Sequence, residues 1–228
     1  MGEAVVKIGG FAFPRPSELD LDLLGRIASV LKRLADEGLR LAIVVGGGAL
    51  ARELVGLARS LGANEALCDE IGIWASRVNA FLFSLAIEPT KRPKVPLDFP
   101  SLAEALSSNR MTVVGGLQPG QSTDTVAILA AELLGAKLVV KATDVDGVYT
   151  SDPRKDPRAV RLARLTYDEA IKLISRLPAR AGTYELLDLQ AVRLAKRSGI
   201  AIRVVDGREP ENIYRAVRGA EVGSLIGP

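Results

Sequence analysis

Three short glycine-rich turns follow apolar segments of the sequence. They are Gly9-Gly10, Gly46-Gly47-Gly48 and Gly115-Gly116. Glycine lets the backbone come close to a phosphate group and direct several amides at it, and a following helix N-terminus adds partial positive charge. One such turn also serves an ordinary tight turn, so the interpretation depends on all three lying at one edge of a sheet. Together they predict a protein that binds phosphate groups.

Lys7 lies two residues before the first glycine turn, among the apolar residues Val5, Val6 and Ile8. A lysine in such a strand is costly to bury unless its ammonium group meets an anion. An edge position that reaches solvent is the alternative interpretation. The functional interpretation is a charge that stabilises a phosphoryl group during transfer, a reaction that depends mainly on positioning and electrostatics.

The sequence contains no histidine and a single cysteine, Cys68. This composition excludes histidine-based triads, histidine metal sites and thiolate zinc sites, so no metal-ligating set of side chains is predicted. No Walker A lysine follows a glycine turn. The segment Gly46-x-Gly48-x-x-Ala51 fits the dinucleotide-binding pattern only in part, because it follows the second strand. The chemistry must use charged side chains, hydroxyls, amides or a metal ion that arrives with a substrate.

Two polar segments follow later strands. Residues 116–124 lead into a helix that Ser122, Thr123 or Asp124 can cap. The functional interpretation adds substrate contacts there, with Asp124 orienting Lys7. Residues 143–153 are rich in Asp and contain an aromatic residue that could border a nucleobase or ribose, with a surface turn as the alternative. They lack the acids that an EF-hand carries at the fifth and twelfth positions of its loop.

Alternating strands and helices must position these segments. The expected strands cover residues 4–8, 41–45, 111–114, 137–141 and 201–205. The expected helices cover residues 19–37, 49–61, 69–87, 102–106, 124–134, 167–175, 188–197 and 212–217, the first starting from Ser17. This order predicts an α/β fold, a three-layer αβα sandwich with a mainly parallel central sheet. Ligands of such sheets sit beyond the carboxyl ends of the strands.

Length and composition indicate an ordinary globular protein. We expect one domain over residues 1–228, with a composition shift near residue 142 that separates two lobes, about 1–141 and 142–228. The net charge of +3 argues against a nucleic-acid partner. Because no apolar run reaches the roughly 18 residues that span a bilayer, no membrane partner is expected. One cysteine and an N-terminus without a signal pattern favour a cytoplasmic location.

Together these motifs resemble the amino acid kinase superfamily. The segments that carry the resemblance are Lys7–Gly10, Val44–Gly48 with Arg52, Gly115–Asp124 and Thr143–Pro153, and they stand in the family order. Within the superfamily the chain is similar to the short, archaeal-type uridylate kinases. The resemblance implies transfer of the ATP γ-phosphoryl group to UMP in pyrimidine nucleotide biosynthesis, with Mg²⁺ bridging the phosphates. It also implies a homohexamer built as a trimer of dimers, an acceptor lobe followed by an ATP lobe, and a dimer face on helix 69–87.

The resemblance also implies roles for individual residues. Lys7 would stabilise the transition state and Asp124 would orient it. The residues that would contact ATP are Gly10, Phe11, Gly48, Arg52, Thr143, Asp144, Tyr149 and Asp152. The residues that would hold UMP are Gly47, Asp69, Arg77, Leu117, Gln118, Pro119, Gly120, Gln121, Ser122 and Thr123. Asp69 would take the ribose hydroxyls, Arg77 would face the UMP phosphate, and Thr123 would help to read the uracil.

Two positions depart from the family pattern, and other functions stay open. Phe11 stands where relatives often carry a small or polar residue, so only its amide could donate to a phosphate. Asp144 stands where Asn or Lys is frequent, and we expect its carboxylate to face the nucleoside or a water. Acetylglutamate and carbamate kinases, which are usually longer, are the nearest alternatives. A nucleotide-binding storage protein on the same fold is the non-enzymatic one. Isopentenyl phosphate kinases are disfavoured because they use a histidine.

Overall fold

A central sheet with helices on both of its faces forms the fold in the computed structural model, which describes residues 2–176 and 187–228. The strands are β1 (Glu3–Ile8), β2 (Arg40–Val45), β3 (Met111–Val114), β4 (Leu138–Thr143), β5 (Val148–Tyr149), β6 (Arg161–Leu162), β7 (Arg164–Thr166), β8 (Ala201–Asp206) and β9 (Ser224–Gly227). The helices are α1 (Leu21–Asp36), α2 (Gly48–Ser60), α3 (Glu65–Ile87), α4 (Phe99–Ser108), α5 (Thr123–Leu134), α6 (Tyr167–Arg176), α7 (Leu189–Ser198) and α8 (Glu211–Val217).

Seven strands form one sheet in the order β3-β2-β1-β4-β8-β9-β7. The first five strands of that order are parallel, β9 is antiparallel to β8, and β5 pairs with β6 in a separate ribbon. The predicted mainly parallel sheet is therefore confirmed. After β1 the chain builds β2 and β3 on one side and then returns to place β4 on the other. Such a switch point leaves a crevice beyond the carboxyl ends of β1 and β4.

Each face of the sheet has its own apolar core. Side chains alternate along a strand, so Val6 of β1 packs on the face covered by α1, α3 and α8. Val5 packs on the opposite face with α4, α5, α6 and α7. Because both faces are covered, the central strands are apolar almost throughout. Lys7 lies two residues after Val5 and therefore points to the face that α5 covers.

Some boundaries differ from the sequence prediction. The first helix does not start from Ser17, which lies in a 3₁₀ turn; α1 begins at Leu21, and the Asp20 carboxylate caps it by accepting from the Leu23 amide. Helix α3 begins at Glu65, earlier than predicted, because the Asn64 side chain caps it. Strands β5, β6, β7 and β9 were not predicted. Each is short, from two to four residues, and such short runs show no clear hydrophobic period.

Helix α3 is long and apolar enough to cross a membrane when judged by length and composition alone, contrary to our expectation that no segment would be. In the fold it covers the sheet, with Phe83 and Ala80 fully buried in the core. Its buried polar residues Ser76 and Asn79 hydrogen bond to the glycine turns. These contacts explain the buried side of α3 as that of a helix packed against a sheet.

Candidate active site

A cleft of about 430 Å³ opens at the carboxyl ends of β1 and β4. Its lining residues are Lys7, Gly9, Gly10, Phe11, Arg52, Ser122, Thr123, Asp124, Lys141, Thr143, Asp144, Arg154 and Asp188. Nine of them are residues that the sequence predicted to act on a substrate. The cleft lies at the switch point of the sheet, where ligands of open α/β folds bind.

Two lysines and one aspartate form a buried charged group at the floor of the cleft. Lys7 of β1 and Lys141 of β4 are register partners on neighbouring strands, so both side chains leave the same face of the sheet. The Asp124 carboxylate lies between them, with Oδ1 3.2 Å from Lys7 Nζ and Oδ2 2.5 Å from Lys141 Nζ. The exposed fractions are 8% for Lys7, 9% for Asp124 and 5% for Lys141. The structure thus brings Asp124 to Lys7, as the proposed orienting role requires.

The charges of this group favour an anion in the cleft. Burial disfavours the charged form of Asp124, but the Lys141 and Lys7 ammonium groups outweigh burial and hold the pKa of this carboxyl well below its usual range. Asp124 is therefore ionised at neutral pH. Lys7 shares that carboxylate with an ammonium group that lies closer to it, so its charge is only partly neutralised. A partly neutralised cation at the wall of a cleft suits the transfer of a charged group.

Lys141 is a site residue that the sequence reasoning missed. It appeared only as the last residue of a predicted strand, because local patterns do not say which strand lies beside β1. A signal was present nevertheless. Like Lys7, it is a lysine near the end of an otherwise apolar strand, immediately before a segment with chemical character.

Helix α3 holds two of the three glycine turns in place. Asn79 Nδ2 donates to the Gly46 carbonyl at 2.9 Å, and the Gly116 amide donates to Ser76 Oγ at 2.7 Å. Gly115 lies so close to α3 that a Cβ there would stand 2.8 Å from the Arg77 amide nitrogen. Sequence reasoning did not assign Ser76 or Asn79 a role. Their signal was a pair of polar residues within an apolar helix.

Gly48 illustrates how strictly the second turn is constrained. It begins α2 with φ of +62°, and a Cβ there would lie 2.2 Å from the Phe13 carbonyl oxygen. We expect Gly48→Ala to lower the free energy of unfolding by at least about 1–3 kcal/mol, since strain and a backbone clash combine. Urea unfolding measures this change. The matched control is Gly25→Ala in α1, where a Cβ meets nothing within 4 Å and the substitution should stabilise by about 0.5–1 kcal/mol. An unchanged unfolding midpoint for Gly48→Ala would contradict the steric constraint at this position.

The segment 117–123 is anchored by two residues of α3 that were predicted to hold UMP. Asp69 Oδ2 accepts from the Gly120 amide at 2.8 Å. The Arg77 guanidinium donates to the carbonyl oxygens of Gly116 at 3.0 Å and Leu117 at 3.1 Å, and also to that of Leu97. Burial lowers the pKa of Arg77. In this structure Arg77 therefore supports the backbone of the segment.

The segment after β4 carries acidic groups that are paired with arginine. Asp144 Oδ2 and Asp152 Oδ1 each lie 3.1 Å from the Arg154 guanidinium. Asp144 was expected to face a nucleoside or a water, and its ion pair with Arg154 would reduce the repulsion that a bound phosphate meets. The Tyr149 hydroxyl donates to Asp146 Oδ1 at 2.6 Å.

Several predicted contact residues do not line the cleft itself: Gly47, Gly48, Asp69, Arg77, Leu117, Gln118, Pro119, Gly120, Gln121, Tyr149 and Asp152.

Comparison with known proteins agrees with this fold. Residues 3–206 match the family model described as the amino acid kinase family, and the chain belongs to this family, as the sequence motifs predicted. A uridylate kinase from Hyperthermus butylicus is 45% identical over 225 residues, which are 99% of this chain and 98% of that protein.

Solved structures are similar over the whole chain. The crystal structure of uridylate kinase from Archaeoglobus fulgidus matches with a TM-score of 0.86 at 38% identity and covers 100% of both chains. That of UMP kinase from Bacillus anthracis has a TM-score of 0.80 at 23% identity, covers 99% of this chain and 95% of that one, and shares the fold.

Proposed function

We propose that this chain is a UMP kinase, which transfers the γ-phosphoryl group of ATP to UMP and so produces ADP and UDP for pyrimidine nucleotide biosynthesis. The observation that carries the proposal is the Lys7 ammonium group, buried at the switch-point cleft and held by Asp124. That arrangement suits phosphoryl transfer, which depends on positioning and charge stabilisation. The similarity to uridylate kinases along nearly the whole chain supports UMP as the acceptor.

The reaction needs no general base from the protein. A phosphate oxygen of UMP is already ionised at neutral pH, and it attacks the γ-phosphorus while the bond from that phosphorus to the bridging oxygen of ADP breaks. Lys7 stabilises the negative charge on the transferring group, and Asp124 fixes the direction of the Lys7 side chain. Lys141, held 2.5 Å from Asp124, adds positive charge to the same place. The absence of histidine is consistent with this chemistry.

Donor and acceptor bind on different parts of the site in this proposal. The residues assigned to ATP are Gly10, Phe11, Gly48, Arg52, Thr143, Asp144, Tyr149 and Asp152. The residues assigned to UMP are Gly47, Asp69, Arg77, Leu117, Gln118, Pro119, Gly120, Gln121, Ser122 and Thr123. Support for the acceptor side comes from the hydrogen bonds that join Asp69 and Arg77 to the segment 117–123.

Mg²⁺ enters this proposal as part of the donor. Among the residues that the structure describes, no group of three or more His, Cys, Asp or Glu side chains could hold a metal ion. Two acids of the cleft, Asp124 and Asp144, are already paired with cations. The donor set therefore fits an ion held mainly by ATP phosphate oxygens and water. When bound, Mg²⁺ neutralises charge on the β- and γ-phosphates.

Assembly into a hexamer, as a trimer of dimers in the cytoplasm, is also part of the proposal. Support comes from α3, whose outer face exposes large apolar side chains: Leu67, Trp74, Val78, Phe81 and Leu82, each 42–53% exposed. An apolar patch of this kind is typical of an interface between subunits. Light scattering of the purified chain measures the oligomeric state.

A coupled assay of ADP release tests the function directly. We expect turnover with ATP and UMP, measured against CMP, acetylglutamate and carbamate as acceptors. Turnover with acetylglutamate or carbamate and none with UMP would move the chain to another activity of the family. A chain that binds ATP but turns over no acceptor would be a storage protein.

Thr123 is the residue proposed to read the base. It is the first residue of α5 and lines the cleft. We expect Thr123→Ala to reduce the ratio of kcat/KM for UMP over CMP by several-fold to about tenfold, since one hydrogen bond is lost. Ser107→Ala, an exposed hydroxyl in α4, should leave the ratio unchanged. Unaltered selectivity in Thr123→Ala would place base recognition elsewhere.

A further inference from the structure

Asp188 joins the N-termini of two helices with one carboxylate. Its Oδ1 accepts from the Gln190 amide at 3.0 Å and so caps α7. Its Oδ2 accepts from Ser122 Oγ at 2.8 Å and from Thr125 Oγ1 at 2.7 Å, both in the N-terminal turn of α5. One oxygen thus serves each helix.

The position of Asp188 is unusual for an acid. It lines the cleft that we assign to phosphate groups, where a negative charge opposes substrate binding. A role in holding the N-termini of α5 and α7 together accounts for the presence of Asp188, because hydrogen bonds to a carboxylate are roughly twice as strong as those between neutral groups. Thr125 is fully buried, and its bond to Asp188 is partly buried at the edge of the cleft.

The turn that Asp188 holds is the one that carries the chemistry. Ser122 caps α5 by accepting from the Thr125 amide at 3.1 Å. Thr123 and Asp124 lie between these two residues, and the segment 117–123 runs directly into the same turn. A shift of that turn would change the shape of the acceptor segment, whereas Asp124 stays held by the Lys7 and Lys141 ammonium groups.

We infer that Asp188 is a positioning residue for the acceptor nucleotide. It fixes the first turn of α5 from α7, in the later half of the chain, and so presets the segment 117–123 for a nucleoside monophosphate. The inference rests on the proposed kinase function. Loss of the Asp188 carboxylate should therefore appear mainly in the KM for UMP, whereas the KM for ATP changes little.

Asp188→Ser separates the two tasks of this carboxylate. Serine is a good helix cap, so α7 keeps its N-terminus, but its side chain is too short to reach Ser122 and Thr125. We expect kcat/KM for UMP to fall by about tenfold to a hundredfold, chiefly through KM, because two charge-assisted bonds are lost. Asp188→Asn keeps the length and an acceptor oxygen, so it should recover part of that loss. An equal rise in the KM values of ATP and UMP would overturn the inference.

A double-mutant cycle tests the contact itself. Thr125→Val removes one hydroxyl at nearly constant volume and should raise the KM for UMP in the otherwise unchanged chain. In the Asp188→Ser background the same substitution should have little further effect, because its partner is already missing. If the effects of Asp188→Ser and Thr125→Val on the KM for UMP are fully additive, the inference is overturned. If Asp188→Ser does not fold, the cycle is carried out with Asp188→Asn, in which the effect of Thr125→Val should be reduced but not abolished because one acceptor oxygen remains.

Amide hydrogen exchange gives a readout that does not depend on catalysis. Without any nucleotide, exchange of residues 117–126 should be faster in Asp188→Ser than in the unchanged chain, while exchange in β1 and β4 stays the same. Unchanged exchange in 117–126 would overturn the inference. A chain that shows the faster exchange but no UMP turnover even when unsubstituted would refute the proposed function and leave the contact established.

Discussion

Replacement of Lys7 by alanine should lower kcat about a thousandfold or more while the chain stays folded. Removal of one charge aimed at a developing negative charge costs about 10²–10³ in rate, and loss of a cation at a transferring phosphoryl group can cost more. The fold should survive because Asp124 keeps Lys141 as a partner at 2.5 Å. Steady-state kinetics with ATP and UMP, together with a circular dichroism melting curve, measures both effects.

A matched control for Lys7→Ala is Lys196→Ala. Lys196 also pairs with an aspartate, Asp168, but this pair lies on the surface, and exposed pairs contribute little. Its kcat should therefore stay near that of the unchanged chain. A normal kcat in Lys7→Ala would show that Lys7 is structural, and a large rise in KM with constant kcat would assign it to substrate binding.

Asp124→Asn is expected to reduce stability and activity together. The substitution leaves two buried ammonium groups facing a neutral amide, and removing one partner of a buried ion pair costs about 3–5 kcal/mol. Because Lys7 would also lose the group that orients it, kcat should fall about a hundredfold or more. Urea unfolding at neutral pH gives the free-energy difference. Asp168→Asn is the exposed control and should change stability by less than about 0.5 kcal/mol.

The stability effect of Asp124 should depend on pH in a defined direction. The lysines hold the pKa of the folded carboxyl well below its usual range, whereas an unfolded chain has an Asp pKa of about 3.9. A depressed folded pKa gives stability that is complete above the unfolded pKa and is lost as the pH falls toward the folded value. The difference between the unchanged chain and Asp124→Asn should thus be constant from pH 7 to pH 5 and shrink below about pH 4. A difference that grows on acidification would contradict this origin.

The central part of the fold was predictable because its signal is local. Continuous apolar runs such as Leu41–Val45 predict strands buried on both faces, and helical spacing predicts the helices between them. The ribbon of β5 and β6 and the strands β7 and β9 were not predictable in this way. Strand β9, for example, is four residues long, and its position between β8 and β7 depends on tertiary pairing alone.

The candidate site likewise contains residues that were predictable from the sequence and residues that were not. Lys7 and the glycine turns were found because a charge or a run of glycine at the end of an apolar strand is visible in the sequence, and Asp124 was found because it lies at a predicted helix start. Lys141 and Asp188 were not, because their roles depend on partners far along the chain, such as Lys7 on the neighbouring strand and Ser122 on α5. The hydrophobic periodicity of a segment does not indicate which strands are neighbours in the sheet.

The register between β1 and β4 has a consequence for behaviour at high temperature. Lys7 and Lys141 are set side by side by the backbone ladder of the innermost strands, and a slip of one residue would turn either side chain to the opposite face. Such strands open only near global unfolding, unlike loops that open locally. Irreversible loss of turnover on heating should therefore follow the melting of the sheet, and no inactive but folded form should accumulate below that point.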